Sequence, residues 1–459
     1  GSAADAAASD AVGAHGDKAL GLPLAQLPAL RAAAEFVLIM AYIYVCDRKD
    51  VFSQGPKVHS RTSSGLLCLG SLLAGLCTLR DAGAEATKPL QRDQTEEWKG
   101  WMQIMFVLYH YFAEAEIYNA IRIYIAAYVW MTGFGNFSYY YIRQDFSLPR
   151  FAQMMWRLNF FVFFVCVTMN NEYMLYYICP MHTFFTWLVF FSCYAFNKYN
   201  SHTILCLVKM LVTLLLTVVL YDVNGVFNAV FRHLGPLFEF HDPLHPEFTD
   251  PLHEWYFRSS LDRFVWIFGM LCAFMFPWFD QKLNMLEQLD GGARVGARLA
   301  VLGATLALGV WWAAEFFALP KYQYNQVHPF TSWIPILCWC VLRNLSPTLR
   351  RWHMHLFAYC GKVTLETYIL QVHSWMRSTG LNGSPKFLLV WLPGWFWLNF
   401  AVVSAVYLFL SVRVFKLTVI LRDACVPRET GAVIRSAGVG ASAVIGFFYA
   451  GVLIKGQLS

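Results

Sequence analysis

The sequence predicts an all-α, polytopic integral membrane bundle with about 10–13 transmembrane or re-entrant helices, and three observations on its 459 residues carry that prediction. Hydrophobic residues make up 58% of the chain and charged residues only 14%, against about 25% charged in ordinary soluble domains. Apolar runs of near-spanning length recur along the whole chain. The net charge of +6 is spread over the segments between those runs, as expected for loops that face lipid headgroups or the cytosol.

Residues 1–28, rich in Ala, Ser and Gly, are expected to be a disordered or tag-derived tail, and 29–456 a single multi-helix membrane domain. Helices are predicted at 31–46, closed by the charged DRKD, and at 64–79, before a polar loop to residue 97. A polar-striped helix then runs to 114 and a short one covers 118–131, leaving TGFGNFSYYYIRQDFS as an aromatic loop. Further helices are expected at 150–168, at 173–196 with an interruption near Pro180, and at 202–221. A long polar loop covers 222–258. Helices at 260–279, 297–319, 331–342, 353–376, 387–412 and 432–454 complete the set, some too short for a full span and so re-entrant or broken. Basic residues occur in both 47–61 and 80–92, on opposite sides if 64–79 spans, so charge leaves sidedness open.

The twelve cysteines lie mostly inside apolar runs at irregular spacing and are expected as buried hydrophobes, not as disulfides or a zinc site. His241, His245 and His253 with nearby acids resemble a metal cluster, but they lack tight ligand spacing on one element, so no metal is expected. No basic block with interleaved aromatics marks a nucleic-acid surface.

Function is concentrated in RDQTEEWKGWMQIMFVLYHYFAE, residues 92–114. Glu96, Lys99, Gln103, His110 and Glu114 follow one another by steps of three, four, seven and four, which keeps them on one helix face. Lys99 and His110 are about 16 Å apart along such a helix. A cation and a titratable imidazole on a membrane helix are costly without a use. The bland alternative is an ion-paired buried helix. Other embedded sets point the same way: Gln153 with Arg157, Arg122 in an aromatic helix, Arg258 with Asp262 and Arg263, and Lys362, Glu366 and His373 on one face. Each alone is more often structural; together they favour a polar interior pocket.

RDQTEEWKGWMQ, IYNAIRIYIAAYVWMTGFGNFSYYYIRQDFSLPRFAQMMWRLNFF, NNEYMLYYICPMHTFFT, HEWYFRSSLDRFVWI, HPFTSWIPI and GKVTLETYILQVHSW resemble the plant-type Reduced Wall Acetylation proteins over about Phe36 to Lys416. Those proteins share the Cas-type multi-helix acyltransferase domain with a fungal capsule O-acetylation protein and the animal sialic acid 9-O-acetyltransferase. The animal and fungal members add a soluble hydrolase-like domain with a Ser/His/Asp arrangement. These 459 residues hold no soluble stretch long enough for it, so the resemblance implies the plant or algal form, whose partners supply that lumenal step. It also implies a multi-pass Golgi membrane protein that uses acetyl-CoA to support O-acetylation of cell-wall or other polysaccharides. A looser likeness joins Lys99-Gly100 and His110 to the Arg-Gly and the His ten residues later of acyltransferase-3 proteins, and GKVTLETYILQVH to their glycine-to-histidine helix. Lys in place of Arg weakens any bidentate phosphate clamp.

The expected mechanism places the donor's phosphates on Lys99, helped by Arg92, Arg122 or Arg157, and the thioester at His110. His110 either activates an acceptor hydroxyl or briefly accepts the acetyl group, with Glu114 or Glu366 setting its tautomer and His373 as a further catalytic candidate. Arg122 or Asn159 is available to an oxyanion. The expected partners are membrane lipid and a polysaccharide acceptor, met directly or through a lumenal hydrolase-like acetyltransferase. A transporter of acetyl-CoA or acetyl equivalents feeding a separate lumenal enzyme is the alternative. A non-catalytic scaffold would need no buried histidine.

Overall fold

A computed structural model describes residues 27–83 and 88–442. The expected tail therefore lies almost wholly outside the described residues, as does much of the expected helix 432–454. Long helices dominate: α1 (Leu27–Arg48), α2 (Arg61–Leu76), α3 (Arg92–Tyr111), α4 (Tyr118–Arg143), α5 (Leu148–Met169), α6 (Ile178–Tyr194) and α7 (Thr203–Asp222). After them come α8 (His253–Leu261), α9 (Val265–Phe274), α10 (Phe276–Gln288), α11 (Gly291–Trp312), α12 (Lys321–Thr331) and α13 (Trp333–Asn344). Then follow α14 (His355–Lys362), α15 (Thr364–Leu370) and α16 (Phe396–Cys425), and the described part closes with a helical stretch over 430–442.

Among the described residues, α1, α5, α7, α11 with the turn that follows it, and α16 are long and apolar enough to cross a membrane. The run from α8 through α10 adds a broken span, bent by 56°, with Pro277 in the first turn of α10 where no amide donor is needed. These spans keep much of their surface outward, whereas α3, α4 and α6 bury theirs. A bundle with a lipid-facing shell and a polar, protein-enclosed interior results.

Two small sheets fasten the ends of distant helices. Strands β1 (Ser53–Pro56), β4 (Met376–Ser378) and β5 (Pro385–Val390) form one in the order β1-β5-β4, antiparallel throughout. Strands β2 (Leu79–Asp81) and β3 (Trp352–Met354) form the other.

Several boundaries depart from the sequence reading, for physical reasons. The expected aromatic loop after residue 131 is helical, and α4 runs on to Arg143. Its Gly133 marks a crossing instead of a turn: a Cβ there would stand 1.9 Å from the Trp266 carbonyl oxygen. A Cβ on Gly269 of α9 would stand 2.3 Å from the Trp130 carbonyl oxygen, so α4 and α9 touch backbone to backbone. A second crossing of this kind joins Gly100 of α3 to Phe357, and Gly361 of α14 to Glu96, again at 1.9 Å for each added Cβ.

α3 stops at Tyr111 because Ala113 takes a left-handed backbone (φ 51°), so Glu114 leaves the striped face. The single helix expected at 353–376 is β3, α14, α15, a π-helical turn at Gln371–Trp375 and β4. The one expected at 387–412 is mostly β5 followed by α16. The polar loop 222–258 contains short helices at Val226–Phe231 and Gly235–Phe238, seated on the buried Trp255 through Phe231 and Phe238.

Candidate functional site

α3 is the axis of the polar interior, because its buried face meets α4, α14 and α15 while three helical turns separate its functional ends. Two chambers lie along it in succession. The first, of about 350 Å³, is lined by Lys99 and Gln103 of α3, Tyr128, Thr132 and Asn136 of α4, Arg157 of α5, His182 and Thr186 of α6, and Tyr368 of α15. The second, of about 200 Å³, is lined by Phe106, Tyr109 and His110 of α3, Tyr118 and Arg122 of α4, Tyr177, Arg258 of α8 and Lys321 of α12. Phe106, Tyr177 and Tyr368 stand between them, with ring centroids 6.0 Å (Phe106–Tyr368) and 6.4 Å (Tyr177–Tyr368) apart. Gln103 and His110, one in each chamber, are seven residues or about 10 Å apart on α3.

His110 is held by one nitrogen. The Gln371 amide donates its Nε2 to the Tyr368 carbonyl oxygen (3.1 Å), so its Oε1 faces His110 Nδ1 at 3.3 Å. A backbone carbonyl only accepts, which fixes the amide and makes His110 Nδ1 the protonated nitrogen. Nε2 then keeps its lone pair in the second chamber. Cations gather around it. Arg122 is buried and bonded to Asp262 Oδ2 at 2.9 Å, while its Nε and Nη1 have no partner among the described residues. Arg258 bonds Glu254 (2.7 Å) and lies 4.3 Å over the Tyr177 ring, and Lys321 lies 4.8 Å over Tyr118. The charge of Lys57, between β1 and α2, also reaches His110. Burial pushes the Lys57 ammonium itself down to about 8. Asp262 and Glu254 offset two of these cations; the chamber keeps a positive excess suited to an anionic ligand.

The first chamber is different in kind. Lys99 Nζ is 2.7 Å from Glu96, and both Arg157 amines are engaged by Glu366, so its two cations are neutralised. His182 Nδ1 donates to Thr132 Oγ1 (2.7 Å), whose own hydrogen goes to the Tyr128 carbonyl (3.2 Å). As with His110, the free nitrogen is Nε2.

The structure separates the residues that the sequence grouped. His110 and Arg122 share the second chamber, Lys99 and Arg157 the first. Arg92 is 85% exposed at the start of α3, with Glu96 at 3.9 Å, and lines neither. Glu366 is buried behind Arg157, not beside His110. His373 has both ring nitrogens occupied: Nδ1 donates to Asp47 Oδ2 (3.0 Å), and the Tyr176 hydroxyl donates to Nε2 (2.5 Å). Asp47 also accepts from the Ser378 amide and hydroxyl at 2.6 and 2.7 Å, so this network holds α1 to β4 and has no lone pair to offer a substrate. The tautomer of His110 is set by Gln371, where Glu114 or Glu366 was expected. Glu114 instead faces His59 at 3.8 Å, and His59 is 3.8 Å from Glu116 as well. Ligand atoms of these three lie within 4.8 Å of one another, although Arg61 already pairs with Glu116. Asn159 bonds Thr183 (2.9 Å) and the Tyr173 hydroxyl, away from both chambers.

Residues missed by periodicity are His182 and Lys321, whereas Arg258 was singled out by its spacing to Asp262 but pairs with Glu254 instead. His182 is embedded in an apolar run two residues after Pro180, where the interruption drew the eye from the imidazole. Lys321 follows Pro320 at the start of a helix, with no acidic residue at helical spacing to single it out.

Comparison with known proteins follows the same lines. Residues 9–437 match the family described as "10 TM Acyl Transferase domain found in Cas1p". The chain is 29% identical over 422 residues to N-acetylneuraminate (7)9-O-acetyltransferase of Danio rerio, an alignment covering 88% of this chain and 52% of that protein. It thus spans about half the length of the curated relative it matches. No solved structure matches it.

Proposed function

The chain belongs to the family of ten-span acyl transferase domains found in Cas1p, and from that membership we propose that it is a membrane O-acetyltransferase using acetyl-CoA. In this reading it resides in the Golgi membrane and passes acetyl from a cytosolic donor to a lumenal polysaccharide hydroxyl, directly or through a lumenal partner enzyme. The named activity of the Danio rerio relative, O-acetylation of N-acetylneuraminate, supports acetyl as the transferred group.

One observation carries the site: His110 presents an unprotonated Nε2 to a chamber with a positive excess from Arg122, Arg258 and Lys321. The donor's phosphates bind those cations, and the thioester lies at Nε2. Nε2 attacks the acetyl carbon and the carbon–sulfur bond breaks; the thiolate leaves toward the cations of the chamber while Nδ1 keeps its proton on Gln371, so that loss of the acetyl group later returns a neutral His110. The free donors of Arg122 are available to the carbonyl oxygen as it gains charge. Lys99 and Arg157, already neutralised by Glu96 and Glu366, contribute less to the donor than the sequence pattern suggested.

Lys321→Ala is accordingly expected to weaken acetyl-CoA binding about tenfold, more than Lys99→Ala does, because a contact to phosphate forms before reaction. Calorimetry on the purified variants reads this directly, and the reverse order would move the donor to the first chamber. The reaction itself is tested in proteoliposomes loaded with de-acetylated glycan and given acetyl-CoA labelled separately on acetyl and adenine. Acetyl label inside and adenine label outside is the expected result. Adenine label accumulating inside at a matching rate would make the chain a carrier of the intact donor.

A further inference from the structure

The first chamber has no task in the donor chemistry, yet it is a built polar site. Amides and hydroxyls line it: Gln103, Tyr128, Thr132, Asn136 and Thr186. Its charges are cancelled within the protein by the Lys99–Glu96 and Arg157–Glu366 pairs. Gln103 is fixed by donation from its Nε2 to the Thr367 hydroxyl (3.0 Å), and Asn136 donates to Thr186 (3.3 Å). Uncharged donors and acceptors held in place suit a ligand that is itself uncharged and rich in hydroxyls. About 350 Å³ accommodates a small-molecule-sized group, such as the terminal sugar of a glycan. His182, with Nδ1 committed to Thr132, aims its basic nitrogen into that space.

We propose that this chamber is the acceptor half of the site: it takes an uncharged, hydroxyl-rich saccharide end, and His182 Nε2 removes the proton of the hydroxyl that becomes acetylated. The assignment rests on the donor reading of the His110 chamber. The acceptor oxygen attacks the acetyl carbon held on His110 and its proton passes to His182. The new carbon–oxygen bond replaces the carbon–nitrogen bond, whose electron pair returns to His110 Nε2. The chambers that hold the two histidines are offset by about 10 Å along α3, the rise from Gln103 to His110, so the reaction requires Phe106, Tyr177 and Tyr368 to part. While they are closed, water on the acceptor side is kept from the acetylated intermediate.

The test separates the two half-reactions. Membranes from cells lacking their own copy, expressing wild type, His182→Gln, Thr132→Val or His110→Ala, receive acetyl-labelled acetyl-CoA with their endogenous glycans present. Free CoA and glycan-bound label are both measured. His182→Gln is expected to lower glycan label about 100-fold while the first-turnover burst of CoA falls less than fivefold, because acetylation of His110 does not need His182. Thr132→Val frees the ring tautomer and is expected to show the same split in weaker form. It carries the test if His182→Gln does not elute as a folded protein. Glycan label within twofold of wild type in a folded His182→Gln overturns the proposal, and so does an equal loss of both signals. A His110→Ala protein that still releases CoA would instead sink the donor reading, and wild-type CoA release with no glycan label would overturn the acceptor assignment.

Discussion

His110→Ala is expected to abolish acetyl transfer, lowering CoA release by about 10³-fold or more, while the protein inserts and elutes as wild type does. The side chain is partly open to a polar chamber, so its removal leaves room for water and not a dry cavity. Its bond to Gln371 is replaceable by that water, and Arg122 keeps its partner Asp262. Folding therefore loses little, whereas chemistry loses the unprotonated nitrogen at the thioester. Single-turnover release of CoA from purified protein measures the effect. A variant that retains wild-type release would show that another group attacks the thioester, and the cationic chamber would then be a binding site only.

The largest effect on stability is expected from Gly100→Ala. An added Cβ would stand 1.9 Å from the Phe357 carbonyl oxygen and 2.7 Å from its carbonyl carbon, with backbone on every near side. No flexible side chain is there to yield, so α3 and α14 must separate. Overpacking costs about 1–3 kcal/mol and occasionally more, and forced separation of two backbones belongs at the upper end. The same separation loosens Glu97, whose Oε2 accepts from the Met354 amide (3.0 Å) and Arg343 (3.1 Å). Gly303→Ala on α11 is the matched control, since nothing lies within 4 Å of its Cβ, and it is expected to be neutral or slightly stabilising. Thermal unfolding in detergent checks both. Equal midpoints for the two variants would mean that the crossing is looser than these distances.

Much of the interior was legible in the primary structure, and the reasons for the rest are local. Periodicity put Lys99, Gln103 and His110 on one face of one helix, and that face does point inward. It could not show that Phe106 with Tyr177 and Tyr368 divides the space those residues share, because Tyr177 and Tyr368 come from α6's threshold and α15. The same periodicity counted Glu114 into the stripe, and one left-handed residue at Ala113 removed it. Lys362, Glu366 and His373 share a face on an ideal helix; the break at Val363 and the π-helical turn at Gln371–Trp375 part them, Glu366 going to Arg157 and His373 to Asp47. GFGN after residue 132 has the composition of a loop, but its glycine serves a helix crossing that only tertiary contact reveals.

The sheet β1-β5-β4 and the Asp47–His373 bond have a consequence for the order of synthesis. Asp47 meets His373 across 326 positions and Ser378 across 331, and Glu35 of α1 meets Arg413 of α16 across 378. A ribosome therefore delivers α1 long before its partners exist. Until then Asp47 has only its neighbour Arg48, 3.6 Å away in the finished bundle, and Glu35 lacks Arg413, an unfavourable state for lipid-exposed charge. α1 can pack early on α5, through Phe36 against Phe160 and Phe164 and Arg48 against Asn171 just beyond it, but its bonds to His373, Ser378 and Arg413 wait for the last part of the chain. A chain stalled before residue 373 would keep Asp47 exposed, a natural flag for the membrane's quality-control proteases.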